Sequence, residues 1–402
     1  MVVKALLVLA AGAFVSQTTE YLPVGLLNQI AVQLNLSDAT TGILITVYAW
    51  VITLSVLPVT LLTRRLDRKH LFICLLGLIA LCNGAVLFTE RFEILILLRV
   101  IAALGHGVFW ASIASYAINI AGRMSASRAT AIVFSGISLS IVMGVPVSTA
   151  LGHHFGWQKG FAVFGLLALL VMVCAVKWLP SLRESKQKTA EQDGGKSPLS
   201  GALCLLTAVT LFIVTAHFSS YTYITIFLQS IPGVNAGTLS VLLFIFGVGG
   251  ACGTLFISRF PCGSQLLTLA GGGLIVLTQT LFLLKLPGPV SAGGVLFLWG
   301  CAVSVVIVGL QTRVIEASRG HHAFASALYV MAFNTGIGSG AMAGGLLTGF
   351  HDSRGLFIFS AAVCLAGVLL AAVISTGHSG NRSGQPSNST KQGVSGLSDR
   401  QM

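Results

Sequence analysis

Apolar runs of about 20 residues or more recur along the whole chain, each long enough to cross a bilayer as a helix. They cover 5–31, 40–62, 70–88, 93–120, 126–151 and 158–180, then 201–230, 236–257, 264–285, 290–314, 321–349 and 354–375. The runs are continuous, whereas a membrane β-barrel shows alternating polarity in stretches of about 10 residues. In hydrocarbon every main-chain polar group needs an internal partner, and an uninterrupted apolar run meets that demand as a helix. Composition agrees: 55% of the residues are hydrophobic and only 8% are charged, against about 25% charged in soluble proteins. The expected fold class is an all-α membrane protein with twelve transmembrane helices in two six-helix bundles.

The expected organisation is an N-terminal six-helix bundle over 1–180, a cytoplasmic linker over 181–200, a C-terminal six-helix bundle over 201–375 and a disordered cytoplasmic tail over 376–402. The linker begins SLRESKQKTAEQDGGKSP, and the tail is rich in Ser, Gly, Asn and Gln with little apolar surface to bury. Basic residues set the orientation. Lys4, Arg64, Arg65, Arg68, Lys69, Arg123, Arg128, the linker's Arg183, Lys186, Lys188 and Lys196, and then Arg259, Arg313 and Arg319 fall on one side. Only Arg91, Lys159, Lys285 and Arg354 fall on the other. The first side is therefore read as cytoplasmic, with both termini inside. The formal charge of +12 is a loop bias of this kind. No basic groove with interleaved aromatics suggests nucleic acid.

The eight cysteines form no CxxC pair and lie mostly within apolar runs, as small packing residues do. No cofactor or metal is expected. His153 and His154 lack a third ligand, and no HExxH, GxSxG or P-loop pattern occurs. GIGSGA at 336–341 has no strand before it and reads as close helix packing. The N-terminal run continues past residue 20 without a convincing cleavage site, so it reads as a retained first helix.

Polar residues inside these runs carry the chemistry. Glu20, within SQTTEYLPVG, is the one acid placed well inside a span. A buried ionisable group is expensive in lipid and should face a cavity or a partner. Counting 1.5 Å per residue, Glu20 lies roughly 22 Å from the cytoplasmic side and Arg99 of the fourth span roughly 21 Å, so Arg99 is the expected partner. The pair is a candidate proton switch, because burial favours the neutral acid and a guanidinium favours the carboxylate; a fixed ion pair locking two helices is the alternative. In RVIAALGHGVFWAS, Arg99, Ala103, His106 and Trp110 recur at i, i+4, i+7 and i+11, on one helical face. Thr19, Tyr48 and Trp50, then His217 and Tyr221, and then Gln311 and Asn334 join His106 and Trp110 as candidate substrate-binding groups. Aromatic rings beside hydrogen-bonding groups suit sugars, and also drug-like aromatics; a helix–helix hydrogen bond is the competing role for each. Pro146, within GVPVSTALG, should kink the fifth span.

TTEYLPVGLL, TVYAWV, RVIAALGHGVFWASIASYAI, GVPVSTALGHHFGW, TAHFSSYTYI and FNTGIGSGAMAGG together resemble the major facilitator superfamily. More narrowly they resemble the bacterial sugar efflux transporters of its drug/proton antiporter branch, the arabinose and isopropyl-thiogalactoside exporters, over about residues 10 to 375. The resemblance implies the major facilitator fold, alternating access and proton-coupled export across the bacterial inner membrane. It implies proton coupling at Arg99 and at the first-helix acid Glu20, and a fifth-helix conformational motif at Gly144, Pro146 and Gly152. There are two departures. Arg64 stands in the TRRLDRKH loop where an aspartate is usual. Tyr223-Ile224-Thr225-Ile226 stands where relatives commonly carry Tyr-Ile-Glu-Pro, which leaves Glu20 as the one such cavity acid.

The expected function is therefore proton-coupled efflux of sugars or sugar-like compounds by a secondary active transporter that is not an enzyme. Its expected partners are the sugar substrate, protons and the lipid bilayer, and it is expected to be monomeric. Multidrug/proton antiport on the same scaffold is the alternative. A non-transporting membrane sensor has no signalling domain to support it.

Overall fold

The computed structural model describes residues 2–63, 66–122, 124, 126–181, 199–260, 262–284, 286–318, 321–348 and 354–379. Most of the linker, the tail from 380, and Arg64, Arg65, Arg123, Lys285 and Arg319 lie outside the described residues. Twelve helical spans follow one another among the described residues. The first six are α1 (Val2–Gln33), α2 (Asp38–Thr63), α3 (Arg68–Ala85), α4 (Phe92–Ile120), α5 (Ala126–Leu139 and Val145–Phe155) and α6 (Trp157–Trp178). The second six are α7 (Gly201–Tyr221, then Ile224–Gln229), α8 (Ala236–Arg259), α9 (Ser264–Phe282), α10 (Pro289–Glu316), α11 (His322–Thr348) and α12 (Arg354–Ser379). Eleven of them are long and apolar enough to cross a membrane among the described residues. The other, α11, has 27 residues, and its glycines, Ser339 and Asn334 dilute its apolar content.

Two spans are less regular than expected. In α5 a π-helical turn, Ser140–Gly144, separates the two stretches, and Pro146 sits in the first turn of the second. Proline has no N–H to continue the preceding ladder, and the wider turn takes up the break. In α7 the helix stops at Tyr221 and resumes at Ile224. The last helix runs through residues 376–379, which the sequence reading assigned to the tail.

Within each half the spans pack around their own apolar interior. Leu6, Leu9, Phe72 and Phe109 are buried together in the first half, and Leu242, Phe246, Leu296 and Trp299 in the second. The halves meet where α2 lies against α11 and where α5 lies against α8. At the end carrying the α1–α2 turn, Tyr223 of the second half packs against α2. Its hydroxyl donates to the Ala341 carbonyl at 2.9 Å, and it occupies the space over Gly42, where a Cβ would lie 1.9 Å from the phenolic oxygen. Beside it, Thr225 Oγ1 donates to the Val24 carbonyl at 3.3 Å, from one half to the other.

Asp67 caps α3, accepting from the Lys69 N–H at 2.9 Å and the His70 N–H at 3.2 Å. Its other oxygen accepts from the Ser181 hydroxyl at the end of the first half. Burial opposes the carboxylate charge, but the bonds from Ser181, His70 and Lys69 outweigh it and hold the carboxyl below its usual range. Asp67→Ala is expected to cost about 1 kcal/mol, the size of a lost N-cap, in thermal unfolding of the purified protein. A depressed folded value means that this contribution is complete above the ordinary aspartate range of about 3.9. It should fade as pH falls through the lower folded value, so the wild-type and Ala unfolding curves should converge in acid.

Candidate functional site

The site begins with a missing donor. Pro23 lies inside α1 and has no N–H, so the Thr19 carbonyl one turn earlier loses its helical partner. Arg99 of α4 supplies one. Its Nη1 donates to the Thr19 carbonyl at 2.6 Å and its Nη2 to the Glu20 carbonyl at 2.9 Å. The guanidinium is only 2% exposed and lies over the Tyr48 ring, 3.9 Å from its centroid. A planar cation that donates two charge-assisted bonds and faces a π-system is tolerated far better than a bare charge. The expected Arg99–Glu20 carboxylate pair is therefore corrected: Arg99 grips the main chain of α1, and the two side chains form no ion pair among the described residues.

The Glu20 carboxylate turns to other groups. Its Oε2 accepts from Gln17 Nε2 at 2.8 Å and lies 3.3 Å from His106 Nε2. The opposite ring nitrogen, His106 Nδ1, lies 3.1 Å from both Ser16 Oγ and Tyr48 OH. The Trp110 indole N–H, one turn along α4, donates to His106 Nε2. Glu20 and His106 are both buried, whereas Trp110 is half-buried. Thr19 is fully enclosed, and its Oγ1 accepts from Asn83 Nδ2 of α3 at 2.9 Å. That bond ties α1 to α3 and engages the hydroxyl that was expected to meet substrate. Four helices thus converge on one polar cluster.

Small residues let α5 approach α1 beside it. A Cβ on Gly144 would lie 2.3 Å from Thr18 Oγ1, and one on Gly152 would lie 2.2 Å from Leu26 Cδ2. With Pro146 following the π turn, these glycines let α5 lie close against α1 beside the Glu20 segment.

The candidates of the second half gather separately. The His217 ring stacks on Tyr221 at 5.0 Å and meets the edge of Trp299 at 5.3 Å, with Phe246 at 6.2 Å. His217 Nδ1 and Trp299 Nε1 are buried without a hydrogen-bond partner. His217 also lines a small cavity with Val214, Ile275, Val306 and Phe333. The next residue of α11, Asn334, donates to the Val330 carbonyl at 3.0 Å and leaves its Oδ1 unpaired. Tyr21 and Phe218, neighbours of Glu20 and His217, bring the two groups into contact with ring centroids 5.8 Å apart. Two candidates stay outside. Gln311 is exposed and joins neither cluster, and Trp50 packs on Gly338 at the α2–α11 contact. Ser16, Asn83, Phe246 and Trp299 were missed. A signal existed for Asn83, as an amide inside the third apolar run, and for Ser16, one turn before Glu20.

Comparison with known proteins agrees with this architecture. The Major Facilitator Superfamily profile matches residues 9–323, and the chain belongs to that family. Among solved structures it is similar to the nucleoside transporter NupG, with 16% identity and a TM-score of 0.71 over 94% of this chain and 99% of that one. It is also similar to a bacterial homolog of the human lysosomal transporter Spinster in an inward-facing, occupied conformation. There the identity is 16% and the TM-score 0.72, over 93% of this chain and 96% of that one.

Arg99→Ala is expected to strand the Thr19 carbonyl, which Pro23 leaves without a helical donor, and to lower stability by roughly 1–3 kcal/mol, the size of one unsatisfied buried group. Pro23→Ala restores an N–H for the Thr19 carbonyl. The double variant should therefore recover part of the loss in thermal unfolding, which a role of Arg99 confined to the Glu20 carboxylate would not allow.

Proposed function

We propose that this transporter exports sugars or sugar-like compounds from the bacterial cytoplasm by alternating access, in exchange for protons that Glu20 carries. The observation that bears most weight is the Glu20 carboxylate, buried in the first half and met by a histidine and an amide rather than by the nearby guanidinium. A carboxylate held by a fixed ion pair keeps its charge, whereas one held by neutral hydrogen-bonding groups can gain and lose a proton as its surroundings change. Arg99 enters as a positioning residue that holds the Glu20 turn of α1 open.

Sugar is the favoured cargo because hydroxyls, amides and aromatic rings lie near one another around Tyr21 and Phe218. Sugar C–H faces stack on rings, and sugar hydroxyls need polar partners. A nucleoside, the cargo named for NupG, also contains a sugar ring. Multidrug/proton antiport draws on the aromatic group around His217 and Trp299, whose apolar walls suit flat apolar compounds. In this reading the basic side of the chain faces the cytoplasm, the two halves meet at a linker on that side, and the end carrying Tyr223 faces the periplasm.

The test uses inverted membrane vesicles with a respiration-acidified interior read by a pH-sensitive dye. Arabinose, lactose, a thiogalactoside and a cationic drug are added in turn. A sugar is expected to trigger proton leakage from vesicles that contain the protein and none from vesicles that lack it, and Glu20→Gln should abolish the response. Leakage triggered by the drug alone would move the cargo to the multidrug class, and a Glu20→Gln response equal to wild type would remove Glu20 from the coupling.

A further inference from the structure

One ring nitrogen of the cluster faces two groups that cannot both be served by a single lone pair. His106 Nε2 receives the Trp110 indole N–H and also lies 3.3 Å from Glu20 Oε2. An indole N–H only donates, so while it holds Nε2 that nitrogen carries no proton. The ring's own proton is then on Nδ1, where the Ser16 and Tyr48 hydroxyls, each at 3.1 Å, can accept it. In that state an unprotonated Nε2, its lone pair taken by the indole, faces a carboxylate oxygen. A proton arriving between them, as O–H on Glu20 or as N–H on His106, turns two facing acceptors into a donor and an acceptor. Either form uses the lone pair to which Trp110 donates.

We infer that Glu20 and His106 hold one exchangeable proton between Oε2 and Nε2, and that this proton and the Trp110 indole N–H exclude one another at Nε2. The inference rests on the reading of Glu20 as the proton carrier and adds His106 as its co-holder and Trp110 as a competitor. When the proton enters, the indole N–H···Nε2 bond is lost; when it leaves, that bond re-forms. No other bond changes, and no further reactant is needed. The Nδ1 side is prepared for both states, because its proton and its hydroxyl acceptors are the same in the neutral ring and the imidazolium.

The other titratable groups around the pair are accounted for. From α1, Ser16 meets Nδ1, Gln17 binds the carboxylate and Tyr21 adjoins Glu20 in sequence. From α2, Tyr48 lies between His106 and Arg99. From α3, Cys82 is buried beside Tyr48 and Ala103. On α4 itself, Arg99 is committed to the carbonyls of Thr19 and Glu20. Trp110 is only half-buried, which leaves its ring room to turn when the bond is lost.

The test is an infrared pH titration of the purified full chain in lipid nanodiscs, following the absorption of protonated carboxyl and imidazolium that Glu20→Gln removes or displaces. Trp110→Phe keeps an aromatic ring and deletes the competing N–H. Its midpoint is expected to move to higher pH by roughly one unit, the equivalent of one hydrogen bond. A Trp110 that merely packs, or merely stacks on cargo, would leave the midpoint in place, and that result would overturn the inference while leaving Glu20 as the proton carrier. A titration untouched by Glu20→Gln would overturn both. Wild-type protein labelled with 15N-tryptophan gives a second measurement that does not depend on the folding of Trp110→Phe. Of the five indole signals, one should shift with the same midpoint as the infrared band and stop shifting in Glu20→Gln. Five signals insensitive to that midpoint would also refute the competition.

Discussion

Arg99 closing on two carbonyls of α1 is the interaction around which the first half is arranged. Proline in a membrane helix leaves a main-chain acceptor without a donor, and lipid offers no water to replace it. The nearest remedy is a side chain with several donors in a fixed plane, which arginine supplies and lysine does not. Once Arg99 is spent on the Thr19 and Glu20 carbonyls, the Glu20 carboxylate is left to Gln17 and His106. A structural bond therefore determines the chemical environment of the acid.

The same economy links the helices. Asn83 fastens Thr19 to α3, Tyr48 of α2 lies under the guanidinium and reaches His106, and α5 leans on α1 through Gly144 and Gly152. Nothing but helix packing brings these groups together, since association in lipid relies on close contact and interhelical hydrogen bonds rather than on a hydrophobic drive. The second half gathers rings around His217, which stacks on Tyr221 and meets the edge of Trp299. The Tyr21–Phe218 contact joins the polar cluster of the first half to the ring cluster of the second.

Much of this was readable from the residues. A glutamate, an arginine and a histidine stand out against apolar runs, and the i, i+7 and i+11 spacing of Arg99, His106 and Trp110 placed them on one face, where the structure has them. Irregularities were harder to read. A kink was expected at Pro146; the structure has a π turn just before it, where Gly144 lies against Thr18. Gln311 and Trp50 are polar or aromatic in the same way as the true members of the clusters, and type alone does not tell which way a helix is turned.

The sequence by itself determined the class, the twelve spans and the short roster of ionisable residues in the membrane, because a continuous apolar run satisfies its main chain in hydrocarbon as a helix and makes every buried charge conspicuous. Tertiary structure decided the pairings. Arg99 and Glu20 lie at matching depths, and depth is all that a one-dimensional count can supply. Whether a guanidinium meets a carboxylate or a carbonyl depends on the rotation of two helices about their axes and on the orphan that Pro23 creates between them. Those are settled only when the helices pack.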